Sequence, residues 1–165
     1  MRLSKNFNLS EFTKSNTASR LGLSNIPTSD HVVNLKRLCE NILQPLRNGL
    51  GHSICVSSGY RGEQLNEAIG GSKTSDHCFG KAVDIDNDRF NELDDSRAFD
   101  NTAIFHYVKH NFSFDQLIWE FGNNIRPAWV HVSYRSKEKN RNQVLVAYKD
   151  DNNNTQYKIY SDGNI

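Results

Sequence analysis

The chain has 165 residues, of which 36% are hydrophobic, and its 20 Lys and Arg against 19 Asp and Glu give a formal net charge of +1. This length favours one domain over residues 1–165, able to bury roughly two-thirds of its unfolded surface. The balanced charge argues against nucleic acid as a partner, because binding it requires a basic excess. No apolar run is long enough to span a membrane, and the N-terminus lacks the apolar segment of a secretory signal, so we expect no membrane insertion.

The three cysteines, Cys39, Cys55 and Cys78, form no CxxC pair and are too few for a disulfide framework. Cys78 directly follows His77, which suggests a metal ligand, but adjacent residues on an extended chain point to opposite sides. We therefore expect buried or neutral thiols in a reducing compartment.

The first half of the chain predicts two helices separated by a strand. Apolar residues recur at steps of three and four through residues 30–48, the pattern of an amphipathic helix, and Pro45 should kink that helix or tighten its last turn. Residues 52–61 have the alternating pattern of a strand that ends in a glycine turn. Residues 62–69 suit a short helix. The apolar positions of the first helix are Val32, Leu35, Leu38, Ile42 and Leu46.

The second half predicts a strand, a helix and a run of strands. Residues 82–85 supply a short apolar strand, and residues 96–110 suit a helix. Residues 114–160 then contain four strand patterns, expected to form an antiparallel set, with a hairpin at the C-terminus. This order predicts an α+β fold with a small, mostly antiparallel sheet and helices packed on one side. The inward positions of the second amphipathic helix are Phe99, Ala103 and Tyr107, with Ile104 and Val108 as further candidates.

A metal site is suggested by residues 75–86, where His77 lies in a loop and Asp84 in a strand, with Gly80 between them. Glycine permits the tight turn that would bring the two side chains together. Zinc in an enzyme usually takes three protein ligands and leaves one position for water. His131 is the candidate for the third ligand, because it alternates with two valines in a predicted strand and therefore lies on the polar face of that strand.

Other ligand-type residues have plainer explanations. A calcium-binding loop at residues 84–95 would need glycine at its sixth position and glutamate at its twelfth, where the chain has Arg89 and Asp95. We therefore do not expect calcium there. The remaining histidines are expected to lie on the surface or to form hydrogen bonds in the core, and they are His31, His52, His106 and His110.

Four motifs, in the expected order, resemble the zinc D-alanyl-D-alanine carboxypeptidase family of peptidoglycan peptidases. The motifs are S-G-Y-R at residues 58–61, S-x-H at 75–77, G-x-A-x-D at 80–84 and W-V-H-V at 129–132. The resemblance covers about residues 7–148, is to the phage and bacterial type, and places the chain in the superfamily of the vancomycin-resistance dipeptidases. It implies that His77, Asp84 and His131 bind one zinc ion.

The chain departs from that family at one position, since many members carry an acidic residue three positions before the last histidine. This chain has Ala128 there, which cannot accept a proton. Glu120 ends the preceding predicted strand and would lie across a hairpin from His131. The resemblance to phage-type members also implies a glutamate at this place. We therefore predict Glu120 as the catalytic base, with Asp115 as the weaker alternative.

Three contacts to the substrate are expected, of which the resemblance implies those of Arg61 and Ser75. Arg61 is expected to contact the substrate and to stabilise the oxyanion, because its planar guanidinium group suits a carboxylate or a developing negative charge. Ser75 is expected to line the site and hydrogen-bond a ligand, although a purely structural role in a turn is the alternative. Trp129 is expected to form a wall of the substrate site, with packing as an equal alternative.

The implied function is zinc-dependent hydrolysis of a peptide bond in the peptidoglycan stem. The bond is either D-Ala-D-Ala, for a carboxypeptidase, or an internal bond, for a lysin-type endopeptidase. Such a protein without a secretory signal is expected to stay in the cytoplasm until released to the cell wall, or to belong to a virion, and to act as a monomer. The alternative is a non-catalytic, zinc-stabilised module that binds peptidoglycan, which the missing acid at Ala128 favours.

Overall fold

A single sheet organises the computed structural model, which describes residues 1–88 and 99–162. Its strands are β1 (Val56–Ser58), β2 (Ala82–Ile85), β3 (Gln116–Glu120), β4 (Trp129–Ser133), β5 (Gln143–Lys149) and β6 (Thr155–Ile159). They are arranged in the order β1-β2-β4-β3-β5-β6, and all neighbours are antiparallel except β3 and β5. The predicted α+β class with a mostly antiparallel sheet is therefore confirmed.

Helices precede the sheet and interrupt it. Those in the described ranges are α1 (Leu9–Thr13), α2 (Asn16–Leu21), α3 (Ser29–Leu38), α4 (Gln44–Leu50), α5 (Glu63–Ala68) and α6 (Asn101–Asn111), with a π-helical turn at Cys39–Leu43 and a 3-10 turn at Asp76–Phe79. Within the part of the chain that the structure describes, none of the helices has the length and apolar character needed to cross a membrane.

The two faces of the sheet differ because side chains alternate along each strand. One face belongs to the main hydrophobic core, to which α3, α4 and α6 contribute buried side chains. The opposite face, called the site face below, carries Asp84, Ile118, Glu120 and His131. The polar face predicted for the strand of His131 is thus present. The strand residues that enter the main core include Val83, Ile85, Leu117, Trp119, Val130 and Val132.

The helix predicted over residues 30–48 is present but is divided by the π-helical turn. Proline has no amide hydrogen, so Pro45 cannot form the usual helical bond to the preceding turn. Just before Pro45 the α-helix changes to the wider π-helical turn, in which the amide of Gln44 donates to the carbonyl of Cys39. The helical segment ends at Gly51, whose φ is +69°. The predicted inward positions Leu35, Leu38, Ile42 and Leu46 are fully buried, whereas Val32 is half-buried.

The strand predicted over residues 52–61 is wrong in length, since β1 has only three residues. Before β1, the amide of Cys55 donates to the side chain of Asn87 at 2.8 Å. After it, the amide of Tyr60 donates to the carbonyl of Phe12 at 2.7 Å. Because these amides have partners outside the sheet, pairing with β2 stops on both sides.

The helix predicted over residues 96–110 begins later, after Asp100, whose carboxylate accepts a hydrogen bond from the amide of Ala103 at 2.8 Å. Residues 96–98 lie outside the described residues. The buried face of α6 also differs from the predicted one, because Ala103 and Tyr107, which were predicted to face inwards, are only half-buried. The fully buried apolar residues of α6 are Ile104, Phe105 and Val108, of which Phe105 was not predicted.

Two further features were not predicted. The last strands are not wholly antiparallel, because β5 lies beside β3 in parallel, with Leu145 opposite Ile118. The N-terminal residues form α1 and α2, which the few apolar residues there did not indicate. Phe7 and Phe12 from this region are fully buried, with their ring centroids 6.2 Å apart.

Candidate metal centre

His77, Asp84 and His131 meet at one point on the site face. Nε2 of His77 lies 3.2 Å from Oδ1 of Asp84 and 3.2 Å from Nδ1 of His131, and the latter two atoms are 2.9 Å apart. Both imidazoles are shielded from water, with exposed fractions of 1% for His77 and 8% for His131. The structure thus brings together the three residues that were predicted as ligands.

The donor set and its spacing fit zinc. Imidazole nitrogen and carboxylate oxygen bind zinc at roughly 2.0–2.2 Å in a tetrahedral arrangement, which places neighbouring ligand atoms roughly 3.3–3.6 Å apart. The three ligand atoms here are separated by 2.9 to 3.2 Å. Three protein ligands leave the fourth position for water or substrate, which is the pattern of a catalytic zinc site.

His77 is held by a turn and by one backbone carbonyl. The 3-10 turn that contains it ends at Gly80, whose φ is +65°. A Cβ atom at Gly80 would lie 2.5 Å from the carbonyl oxygen of His31, so only glycine fits there. Nδ1 of His77 donates to the carbonyl oxygen of Gly59 at 2.7 Å. This bond fixes the tautomer and leaves Nε2 free to face Asp84 as a ligand atom.

Asp84 and His131 are brought together by strand pairing. Asp84 on β2 lies directly opposite His131 on β4, and His131 lies opposite Ile118 on β3. Directly opposite residues of an antiparallel pair point to the same face, with Cβ atoms roughly 4.5–5.5 Å apart. The register of the sheet therefore places the carboxylate and the second imidazole side by side.

The pKa values of the three ligand-type side chains are shifted in different directions. Burial lowers the pKa of His77 below 6.5, and the charge of Asp84 does not offset it. Burial also lowers the pKa of His131, but the hydrogen bond and charge of Asp84, with the charge of Glu120, raise it above 6.5. Burial raises the pKa of Asp84, but both imidazoles outweigh it and hold that carboxyl far below its usual range. Without metal, His131 therefore holds a proton more readily than His77.

Zinc affinity is expected to fall in acid because binding must displace the proton of His131. The pKa of that imidazole lies above 6.5, so the apparent affinity should drop by about tenfold for each pH unit below it. Competition with a coloured chelator between about pH 5 and about pH 8 measures this. The variant His110→Ala, at an exposed histidine on α6, is the control and should follow the wild-type curve. A pH-independent affinity would contradict the assignment of His131.

Glu120 lies beside this group at the end of β3. It lies directly opposite Trp129 on β4, and Trp129 is two residues before His131 on the same strand. Glu120 therefore points to the same face as His131, and it is 8% exposed. Burial raises the pKa of Glu120 to about 7, with the charge of Asp84 adding to the rise and His131 and Arg61 opposing it. A carboxylate with such a pKa can accept and return a proton near neutral pH.

A sharp turn directly follows Glu120. Phe121 has a φ of +53°, which is unusual for a bulky residue, and Gly122 has a φ of +76°. A Cβ atom at Gly122 would collide with the carbonyl oxygen of Arg126. The amide of Ala128 then closes the hairpin by donating to the carbonyl oxygen of Glu120 at 2.9 Å. Ala128, where the resemblance led us to expect an acid, thus supports the backbone of Glu120.

Arg61 lies on the other side of the metal-ligand group. Its Nη2 is 3.6 Å from Oδ2 of Asp84, and its backbone amide donates to the carbonyl of His77 at 3.3 Å. Its Nε is buried without a hydrogen-bond partner among the residues that the structure describes. A buried donor without a partner is costly, so we expect a water molecule or a bound ligand to accept its hydrogen bond.

The other predicted substrate residues, Ser75 and Trp129, each lie two residues before a ligand histidine in the chain. Ser75 is half-buried two residues before His77, and its side chain makes no capping bond to the 3-10 turn. Trp129 is half-buried on the site face, and its ring centroid lies 5.3 Å from that of Phe121. Trp129 therefore combines a packing contact with a position directly opposite Glu120.

Asp115, the alternative base, is fully buried at the other end of the same strand. It accepts hydrogen bonds from Nε and Nη2 of Arg141 at 2.8 and 2.6 Å, and from Nε of Arg135 at 2.9 Å. Burial raises the pKa of Asp115, but these two guanidinium groups outweigh it and lower the pKa. A carboxylate bound in this way is a poor proton acceptor, so Glu120 is the better candidate.

Sequence reasoning did not identify the carbonyl of Gly59 as the partner of His77, because a backbone group leaves no side-chain signal. It also did not identify the turn at Phe121, although the F-G-N-N sequence after Glu120 is rich in turn residues. The calcium-loop alternative depended on Arg89 and Asp95, which lie outside the described residues.

Comparison with known proteins adds one match. The family model described as Peptidase M15 matches residues 5–113, which is more than half of the chain. The matched segment includes Arg61, His77 and Asp84 and ends before β3. No curated protein matches the chain.

Proposed function

The chain belongs to the peptidase M15 family, and we propose that it is a zinc-dependent peptidase that hydrolyses a peptide bond in the peptidoglycan stem. The proposal assigns the zinc to His77, Asp84 and His131, and the role of base to Glu120. The observation that carries it is the convergence of these three ligand-type side chains, with spacings near those of a zinc site, beside a buried carboxylate.

Each group has a distinct part in the proposed reaction. Zinc bound at this site would polarise the carbonyl of the scissile bond and lower the pKa of water. Glu120 takes a proton from the attacking water onto a carboxylate oxygen and passes it to the nitrogen of the leaving amine. Water adds to the carbonyl carbon, the C–N bond breaks, and a carboxylic acid and an amine result. The guanidinium group of Arg61, whose Nη2 lies 3.6 Å from Asp84, donates to the oxygen on which negative charge develops.

The substrate class rests on the motifs. The S-G-Y-R, S-x-H, G-x-A-x-D and W-V-H-V segments resemble peptidases of the peptidoglycan stem, and the residues of these motifs surround the metal-ligand group in space. Arg61, with an unpaired donor, suits either the terminal carboxylate of a D-Ala-D-Ala stem or a carbonyl of an internal bond. Carboxypeptidase and lysin-type endopeptidase activity are therefore the two forms of the proposal.

Purified protein loaded with zinc is expected to release new amino groups from purified peptidoglycan, and a chelator should abolish the release. Free D-alanine would identify a carboxypeptidase, and mass analysis of the fragments would identify an internal bond. Walls of several stem and cross-bridge types should be tested, because the bond that is cut depends on the stem chemistry. The absence of any release from all of them would contradict the proposal.

A further inference from the structure

We propose that Tyr157, on β6, is a substrate-positioning residue whose hydroxyl hydrogen-bonds the peptide on the side of the site away from Arg61. This inference rests on the proposed peptidase function and extends it to a part of the chain beyond the matched residues 5–113. In this arrangement the peptide lies across the site face, between Arg61 and Tyr157, with Glu120 between these two residues.

The register of the sheet places Tyr157 in line with the proposed base. Glu120 pairs with Trp129 on one side and with Ala147 on the other, and Ala147 pairs with Tyr157. Directly paired residues point to the same face, so these four side chains form one row on the site face. Neighbouring strands are about 4.8 Å apart, which separates the backbones of Tyr157 and Glu120 by roughly 10 Å.

The surface between the two residues is apolar and already covered. Ala147 is 1% exposed and forms a small buried cluster with Ile118 and Leu145, against which Phe121 packs. A peptide bound at the site therefore lies on top of this cluster, and a polar group at each side is needed to fix its position.

The environment of the Tyr157 hydroxyl supports this placement. Burial raises its pKa, as do the negative charges of Glu120 and Asp84, while the charge of Arg61 lowers it. The residues that influence the hydroxyl are therefore those of the candidate site. Tyr157 is nevertheless 54% exposed, so a ligand can reach it. A tyrosine hydroxyl can both donate and accept a hydrogen bond, which suits a peptide group.

The alternative explanation is that Tyr157 only covers the sheet. A suitable comparison is Tyr148 on β5 of the same hairpin, which is 42% exposed. Tyr148 is two residues after Val146, which belongs to the main core, so its side chain lies on the face opposite the site face. Tyr148 pairs with Gln156 and has no site residue in its row. The two tyrosines thus belong to the same hairpin, have similar exposure and differ in the face they occupy.

The test compares Tyr157→Phe, Tyr157→Ala and the control Tyr148→Phe in the zinc-loaded enzyme, with a soluble stem peptide as substrate. Tyr157→Phe is expected to lower kcat/KM by about five- to tenfold, mainly through KM, because one hydrogen bond to the substrate is lost. Tyr157→Ala should lower it further, since the aromatic wall is lost as well. Tyr148→Phe should stay within about twofold of wild type. Zinc affinity and melting temperature should not change in either Phe variant.

The outcomes separate this inference from the proposed function. If the wild type hydrolyses the peptide and Tyr157→Phe matches Tyr148→Phe, the role of Tyr157 is overturned and the peptidase proposal stands. A loss of activity in Tyr157→Phe accompanied by an equal loss of zinc affinity would assign Tyr157 a structural role and also overturn the inference. If the wild type hydrolyses no peptidoglycan substrate, the proposed function fails, and the inference fails with it.

Discussion

Replacing Glu120 with glutamine is expected to lower kcat/KM by roughly 10²- to 10⁴-fold while the protein keeps its zinc. Glutamine has nearly the same shape but cannot accept the proton of the attacking water. The pKa of Glu120 is raised to about 7 by burial without metal, and a zinc ion nearby would lower it by its positive charge. A base of this kind is active when deprotonated, so the wild-type rate should fall as the pH drops through that pKa.

The measurement is hydrolysis of a stem peptide by zinc-loaded wild type and Glu120→Gln, with zinc content determined for both. Glu67→Gln makes the same chemical change at an exposed residue of α5 and should leave the rate within about twofold of wild type. Full activity in Glu120→Gln would show that the base lies elsewhere. Loss of zinc in that variant would mean that the substitution disturbs the metal site, and the test would then use Glu120→Asp, which keeps the charge.

The same substitution separates the two interpretations of Ala128. A non-catalytic module would show no hydrolysis in the wild type, and Glu120→Gln would change neither rate nor zinc content. The structure supports the catalytic interpretation, because the hairpin that begins at Phe121 fixes Glu120 beside His131, with the Ala128 amide as one of its supports. A buried carboxylate without a function would be costly at this place.

Much of the candidate site could be predicted because its signals are local. The spacing of His77, Gly80 and Asp84 indicates a turn followed by a strand, and the alternation around His131 indicates a polar strand face. Glu120 followed from the length of a hairpin together with the resemblance to phage-type members of the family. The structure adds what local spacing does not contain: the pairing of Asp84 with His131 and the buried, unpaired Nε of Arg61. Both depend on how distant segments pack.

The errors in the predicted fold have the same origin. Hydrophobic alternation determines which face of a strand is buried but not which strand lies beside it, so the parallel pairing of β3 with β5 was missed. That pairing is what brings β6 and Tyr157 into the row of Glu120. Likewise, the pattern of residues 52–61 could not show that amides beside β1 bond to Asn87 and Phe12 instead of a strand.

Removing the metal is expected to abolish hydrolysis and to lower the melting temperature. The proposed ligands come from the 3-10 turn, β2 and β4, so bound zinc links three segments that are distant in the chain. At a free zinc concentration of roughly 1,000 times Kd, binding to the folded state alone stabilises it by about 4 kcal/mol. For a domain of this size, that corresponds to about 8–16 °C in the melting temperature. Thermal unfolding with zinc and with chelator measures the difference.

His131→Ala tests whether this stabilisation passes through the proposed ligands. The variant should bind zinc at least about 100-fold more weakly, because changes in the outer shell of a metal site alone cost 10- to 100-fold. Added zinc should then no longer raise its melting temperature, and hydrolysis should be undetectable. His110→Ala, on the exposed side of α6, should keep the full zinc-dependent shift. An undiminished shift in His131→Ala would mean that zinc stabilises the fold from another position, and the division of roles between His77, Asp84 and His131 would be wrong.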